Sequence, residues 1–173
     1  MLMRSKIIQC AYVVNDLENA CARYNRLLGV GPFLLMPHVQ IVSAWHEGAA
    51  IDLDISLAFA QAGDIQVEFI QQHTEGPSAF RDMYPPGSEG FHHAAVICDD
   101  YDDDVRALEL QGTRIAMQLM TAQGMRVSFA DTRDTLGHMV ELYESNPGLE
   151  ALYELVRETA RNWDGRDLLR PLG

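Results

Sequence analysis

A chain of 173 residues, 47% hydrophobic and 22% charged, has the size and composition of one globular domain and is too apolar for disorder. Twenty-five acids against 13 bases leave a net charge of −12, which repels phosphate backbones and anionic lipid, so neither nucleic acid nor a membrane is an expected partner. Lys6 is the sole lysine, which excludes a Schiff-base lysine or a P-loop further along, and Cys10, Cys21 and Cys98 are odd in number with no C-x-x-C spacing, which argues against a disulfide framework or a zinc ribbon.

The opening residues 1–6 lack the apolar core of a signal peptide, and no apolar run approaches the ~20 residues of a membrane span. The expected setting is the reducing cytoplasm. Residues 7–14 then form a short run rich in β-branched side chains that ends in an acidic turn, which is the signature of a strand. Asp16 is placed to N-cap a helix over 17–28, with Leu17, Ala20, Tyr24 and Leu27 at helical spacing and Gly29 as its stop. Strands are predicted over 39–45, 53–60 and 65–71, whereas the apolar segment 33–36 has no clear place. Tyr84-Pro85-Pro86-Gly87 breaks the chain.

The pattern then starts again. At an offset of 84 residues, Phe91-His92-His93-Ala94-Ala95-Val96-Ile97-Cys98 repeats the first strand, and Asp100 caps a helix over 101–111 with Val105 and Leu108 inside and Gly112 beyond its end. Strands over 115–120, 126–130 and 138–143 close the second half. The prediction is an α+β fold of two tandem βαβββ modules, 5–73 and 91–145, joined by a linker over 74–90. Their mixed sheets pair into a curved cleft, because half a chain of this length is too small to fold alone. Within the resulting domain, 1–146, no further boundary is expected. Over 147–173 a final helix follows Asn146-Pro147, with Leu149, Leu152, Val156 and Trp163 on one apolar face and a role as cover for the domain or a partner.

Alternation along the strands separates two faces. Ile8, Cys10, Tyr12 and Val14 share one side of the first strand, with Gln9, Ala11 and Val13 on the other. The same reading sets His93, Ala95 and Ile97 opposite Ala94, Val96 and Cys98, and leaves Glu68 and Glu141 on the reverse of Val67-Phe69 and Val140-Leu142. If the helices cover the apolar face, Gln9, Glu68, His93 and Glu141 converge in the cleft. Each alone reads equally well as an ordinary strand or core residue. Together, two carboxylates, an imidazole and an amide oxygen form an N/O donor set of charge −2. Such a set suits one divalent ion with positions left open for substrate. Ala11, Val13, Ile70, Ala95, Ile97 and Met139 share that face, so an apolar wall is expected around it and with it a hydrophobic acyl or ring substrate.

At these residues the sequence resembles the vicinal oxygen chelate superfamily, the glyoxalase, bleomycin-resistance and extradiol dioxygenase group. The resemblance runs over about residues 6–145 and rests on Gln9…Val14-Asn15-Asp16-Leu17, Val67-Glu68-Phe69-Ile70, His93…Cys98-Asp99-Asp100, Phe129-Ala130-Asp131…Leu136-Gly137-His138 and Val140-Glu141-Leu142-Tyr143. It implies a divalent metal (Zn, Ni, Co, Mn, Fe or Mg alike) on Gln9, Glu68, His93 and Glu141. Glu141 or Glu68 would be the base that takes a proton next to a metal-bound carbonyl through an enolate. The activity so implied is that of a lyase, isomerase or epimerase of the glyoxalase type, and a homodimer is implied as well. A Gln, Glu, His, Glu set is similar to animal-type glyoxalase I. Methylmalonyl-CoA epimerases and the dioxygenases carry His at the position of Gln9, and the epimerases Gln at that of Glu68. His46 and Glu47 lie near where epimerases keep a further acid, without a local match. The competing expectations are a metal-free small-molecule binding protein of the antibiotic-sequestering kind and an extradiol-type dioxygenase.

Overall fold

The computed structural model describes residues 6–172. Strand β1 (Ile7–Val13) leads into helix α1 (Leu17–Leu28), followed by β2 (Phe33–Met36), β3 (Ile41–His46), β4 (Ala49–Ala50), β5 (Ile55–Ala62) and β6 (Ile65–Gln72). A short helix α2 (Ala79–Met83) precedes β7 (Gly90–Cys98), α3 (Tyr101–Leu110), β8 (Ile115–Thr121), β9 (Arg126–Ala130), α4 (Arg133–Leu136) and β10 (Met139–Glu144). The chain closes with α5 (Pro147–Arg161) and β11 (Leu169–Pro171). No helix among the described residues is long and apolar enough to cross a membrane.

All eleven strands form one sheet in the order β11-β2-β5-β6-β1-β7-β10-β9-β8-β3-β4. The repeat is visible in it. β2-β5-β6-β1 is one module and β7-β10-β9-β8 the other, joined where β1 runs antiparallel to β7. Helix α1 covers the outer face of the first module through Ala20, Cys21 and Tyr24 against Phe33, Val67 and Phe69, and α3 covers the second through Tyr101 and Val105 against Val96 and Leu142. Asp16 and Asp100 cap these helices by accepting the N–H groups of Asn19 and Asp103. Leu27, assigned to the buried stripe of α1, is exposed, and Cys21 takes its place. The opposite face of the sheet carries residues of both modules in one cluster, Ala11, Ile70 and Ala95 with Val127 and Phe129, so the two arms curl towards each other.

Three further placements differ from the sequence reading. The second strand of the first module is Phe33–Met36, and the segment predicted in its stead, β3, crosses over to pair with β8 of the other module. Phe33 and Leu35 fill the layer beneath α1, and Pro37 ends that strand. β3 behaves as a one-sided outer strand: Ala44 and His46 are buried, Val42 and Trp45 exposed. Ile8, read as an outer-face residue, packs in the inner cluster, because the register of β1 on β7 slips between Ile7 and Gln9 and makes Ile8 an inserted, bulged residue. Trp163 lies beyond the end of α5, where its ring stands over Gly31 so closely that a Cβ there would meet it at 2.8 Å.

Helix α5 sits on the inner side of the sheet. It packs on β5 and β6, with Leu152 and Val156 against Leu34, Leu57 and Phe59. Asn146 caps it by accepting the N–H of Leu149 at 3.0 Å, and Pro147 occupies the first turn. Asn146→Ala is expected to cost about 1 kcal/mol, read as a fall of roughly 2–4 °C in the thermal midpoint. An unchanged midpoint would show that tertiary packing alone holds the helix.

Candidate metal centre

Four neighbouring strands, β6-β1-β7-β10, carry one residue each of the Gln9, Glu68, His93 and Glu141 set. Ala11 on β1 stands between Glu68 and His93 in register, and Ala95 on β7 stands between Gln9 and Glu141. Paired residues share a face, so all four side chains leave the sheet on its inner side. One ligand atom each of Glu68, His93 and Glu141 lies within 4.8 Å of the other two. The imidazole Nε2 of His93 stands 2.9 Å from Glu141 Oε2 and 3.6 Å from Glu68 Oε2. Gln9 donates its Nε2–H to Gln66 Oε1 at 2.6 Å, which frees its own carbonyl oxygen.

None of these inward atoms has a hydrogen-bond partner. Gln9 Oε1, Glu68 Oε2, His93 Nε2 and Glu141 Oε2 are all buried and unpaired. Buried polar atoms without partners are rare, and three of these, on Glu68, His93 and Glu141, lie close enough together to call for something that satisfies them jointly. The 2.9 Å contact between His93 and Glu141 is no substitute, because its alignment fails as a hydrogen bond and both atoms stay unpaired.

A chain of tautomers explains why. His92 Nε2 lies 2.9 Å from the carbonyl oxygen of Ala79 in α2, and a carbonyl only accepts, so the proton of His92 sits on Nε2. Burial pushes the imidazole of His92 down to about 3, so it is neutral and its Nδ1 carries a lone pair. That lone pair accepts from His93 Nδ1–H at 2.9 Å. His93 is likewise driven down to about 3 by burial and then by His138, which leaves its Nε2 unprotonated. The result is a bare nitrogen lone pair facing two carboxylates.

Those carboxylates are strained by the same burial. Glu68 is 2% and Glu141 4% exposed, and His93 fully enclosed, so no water screens the group. Burial, followed by the charge of Glu141, raises the carboxyl of Glu68 well above its usual range, and burial raises that of Glu141 to about 8. Beside them lies a cavity of about 40 Å³, walled by Val39, Ile55, Leu119, Phe129 and Tyr143 from both arms. The inner face around it carries Ala11, Val13, Ile70, Ala95, Ile97 and Met139. Phe33, Leu34, Leu35 and Met36 lie instead under α1 or α5.

Other titratable groups stand apart from this centre. His46 turns towards α2, its Nε2 3.1 Å from both carboxylate oxygens of Asp82, and Glu47 pairs with Arg114. His38, Asp54 and His73 form a more exposed group at the strand ends, closed by the 2.8 Å contact of His38 with Asp54 and the 2.7 Å contact of His73 with Ser56.

Comparison with known proteins fits this architecture. The sequence pattern of the Glyoxalase/Bleomycin resistance protein/Dioxygenase superfamily matches residues 8–143. The chain belongs to this superfamily. A search of curated proteins returned no sequence match. Among solved structures, methylmalonyl-CoA epimerase from Mycobacterium tuberculosis is 22% identical, with 87% of this chain and 97% of that one covered and a TM-score of 0.55. A hypothetical protein from Bacillus halodurans C-125 is 18% identical over 83% of this chain and 96% of its own, with a TM-score of 0.60. A variant of the Streptomyces coelicolor methylmalonyl-CoA epimerase in complex with 2-nitronate-propionyl-CoA is 18% identical, over 83% and 96%, with a TM-score of 0.54. At these identities the likeness is one of fold.

Three residues of the centre escaped the sequence reading. Gln66 orients the Gln9 amide, and strict alternation back from Glu68 would have placed it on the inner face. His92 reaches His93 because the register of β7 on β1 slips between Ala11 and Tyr12, so that His92 is the extra residue of a bulge. No local pattern announces that slip. The third, Tyr153 on α5, joins the inner cluster from outside the repeat.

Proposed function

We propose that the chain is a divalent-metal-dependent isomerase, epimerase or lyase that moves a proton on a carbon next to a carbonyl. The observation that carries this reading is the set of four buried, unpaired donor atoms on Gln9, Glu68, His93 and Glu141. Two oxygens of carboxylates, an amide oxygen and an unprotonated imidazole nitrogen suit a hard or borderline divalent ion, and two negative charges balance it. When bound, the ion supplies Lewis-acid polarisation of a substrate carbonyl. The protein does the rest. His92 and Ala79 keep the proton off His93 Nε2, Gln66 turns the carbonyl oxygen of Gln9 inward, and the apolar walls exclude water. Glu68 and Glu141 stand on strands either side of the β1–β7 pair, so either can take a proton from a substrate carbon lying between them. Two such bases on two sides suit epimerisation or a 1,2-hydrogen shift.

The metal-free binding alternative gains nothing from the geometry, because a cleft that only holds a ligand has no use for two buried carboxylates facing a lone pair. Metal analysis of protein purified without chelator tests the reading first: about one divalent ion per chain is expected, and its loss in His93→Ala. Solvent deuterium wash-in at the α-carbon of methylmalonyl-CoA, the ligand class of the epimerase neighbours, tests the chemistry. Glu141→Gln is expected to slow exchange by roughly 10²–10⁴-fold in a folded protein. A purified protein that takes up no divalent ion refutes the reading outright.

A further inference from the structure

We propose that Tyr153, carried by the C-terminal helix α5, is a substrate-facing hydrogen-bond donor of this centre, which makes the helix part of the site and not merely its cover; the inference rests on the proposed metal centre. The helix lies on the same side of the sheet as the four candidate ligands. Phe59, against which Val156 packs, is the cross-strand partner of Glu68. One turn before Val156, Tyr153 joins Ile70, Phe129, Met139 and Tyr143 in the inner cluster. Its side chain is 8% exposed, yet its hydroxyl has no hydrogen-bond partner.

A helix that merely covers apolar surface needs an apolar residue here, and Phe would fill the same volume. The hydroxyl is the part that packing does not explain. Buried phenols nearly always hold a partner. Burial, and after it the charges of Glu141 and Glu68, push its phenol up, so it keeps its proton and has an O–H to donate. Neither carboxylate takes that proton: no hydrogen bond joins Tyr153 to either, and Glu68 Oε2 and Glu141 Oε2 are themselves unpaired. With no protein group accepting it, the acceptor assigned to it here is an oxygen of a molecule bound beside the carboxylates. A neutral donor to that oxygen would stabilise negative charge as it develops there, which favours loss of a proton from the adjacent carbon. The donor comes from outside the repeated modules, so the two modules alone do not supply it.

The test uses the full-length chain loaded with Co²⁺ and oxalate as a small oxygen-donor probe, with both affinities measured calorimetrically for wild type and Tyr153→Phe. The expected result is unchanged Co²⁺ affinity, a retained thermal midpoint and oxalate binding weakened by about ten-fold or more, as befits one lost hydrogen bond to a charged acceptor. Equal oxalate affinity in the two proteins overturns the role of Tyr153 and leaves the metal centre standing, as does a wild type that holds Co²⁺ but no oxalate. A parallel loss of Co²⁺ affinity in Tyr153→Phe also overturns it, since the phenol then serves the ion and not its ligand. A wild-type chain that binds no Co²⁺ removes the metal reading and this inference together. Should Tyr153→Phe fold poorly, Tyr153→Trp, which keeps a buried aromatic with a donor, separates packing from hydrogen bonding: restored oxalate binding supports the donor, and unrestored binding in a folded protein opposes it.

Discussion

Changing Glu68 and Glu141 together to Gln is expected to abolish divalent-ion binding and, at the same time, to make the ion-free protein more stable. Two carboxyls in a closed apolar centre face each other and a nitrogen lone pair, with no Lys or Arg among the described residues paired to them. The amides have the same shape and carry no charge. The effect depends on pH in a defined direction. In the unfolded chain a glutamate releases its proton near 4.5, whereas in the folded chain Glu141 holds it up to about 8. Across that interval the folded state binds more protons than the unfolded one, so raising the pH favours unfolding. Relative to the double variant, ion-free wild type should therefore lose stability from about pH 4.5 upward until about pH 8 and stay low beyond, whereas His92 and His93, held down to about 3, add stability up to about pH 6.5 in both proteins. Glu141 alone contributes about 5 kcal/mol, or roughly 10–20 °C in thermal midpoint. The double variant should show no such decline from this source, and the two proteins should converge at low pH where the carboxyls stay protonated in both states. Thermal melts in chelator between pH 5 and 9 measure this. With ion at a hundred times its Kd, wild type alone should regain about 2.7 kcal/mol. A gap between wild type and double variant that is no larger at pH 9 than at pH 6 would contradict the buried-pair account.

His92→Phe is expected to weaken binding of the ion by roughly 10–100-fold while the fold persists. The imidazole of His92 packs between Phe80 and Phe129, and a phenyl ring preserves that packing. What it removes is the lone pair that accepts His93 Nδ1–H and the donor to Ala79. The ring of His93 is then free to carry its proton on Nε2, where it blocks the ion. Competition titration with a chromophoric chelator gives the change in Kd. A phenylalanine variant with wild-type affinity would mean that the ion itself selects the tautomer and the relay is incidental.

The two histidines illustrate how far the sequence could be read. His93 was legible as an inner-face residue because side chains alternate along any strand, a property of the backbone that needs no partner. The same rule put Gln9, Glu68 and Glu141 on that face, and the repeat placed them in corresponding strands. Helices α1 and α3 were legible for an equally local reason, since a capping aspartate, a 3.6-residue stripe and a terminal glycine lie within a dozen residues. The errors are of the opposite kind. His92 and Ile8, at equivalent positions 84 residues apart, both leave the alternation because the β1–β7 pairing inserts one residue on each side. That slip depends on two strands fitting each other and has no signature in either alone.

The same division runs through the rest of the molecule. Composition, the duplicated strand-helix pattern and alternation determined by themselves the α+β class, the two modules and the four polar residues that share a face, because each follows from contacts among near neighbours in the chain. Only the tertiary structure decided that β3 crosses to the far module, that a bulge turns His92 into the partner of His93, that Gln66 holds the amide of Gln9, and that α5 brings Tyr153 into the inner cluster. Each of these depends on which distant segment offers a free edge or an uncovered apolar face. That competition is settled by packing across the whole chain and leaves no periodicity for a local reading to find.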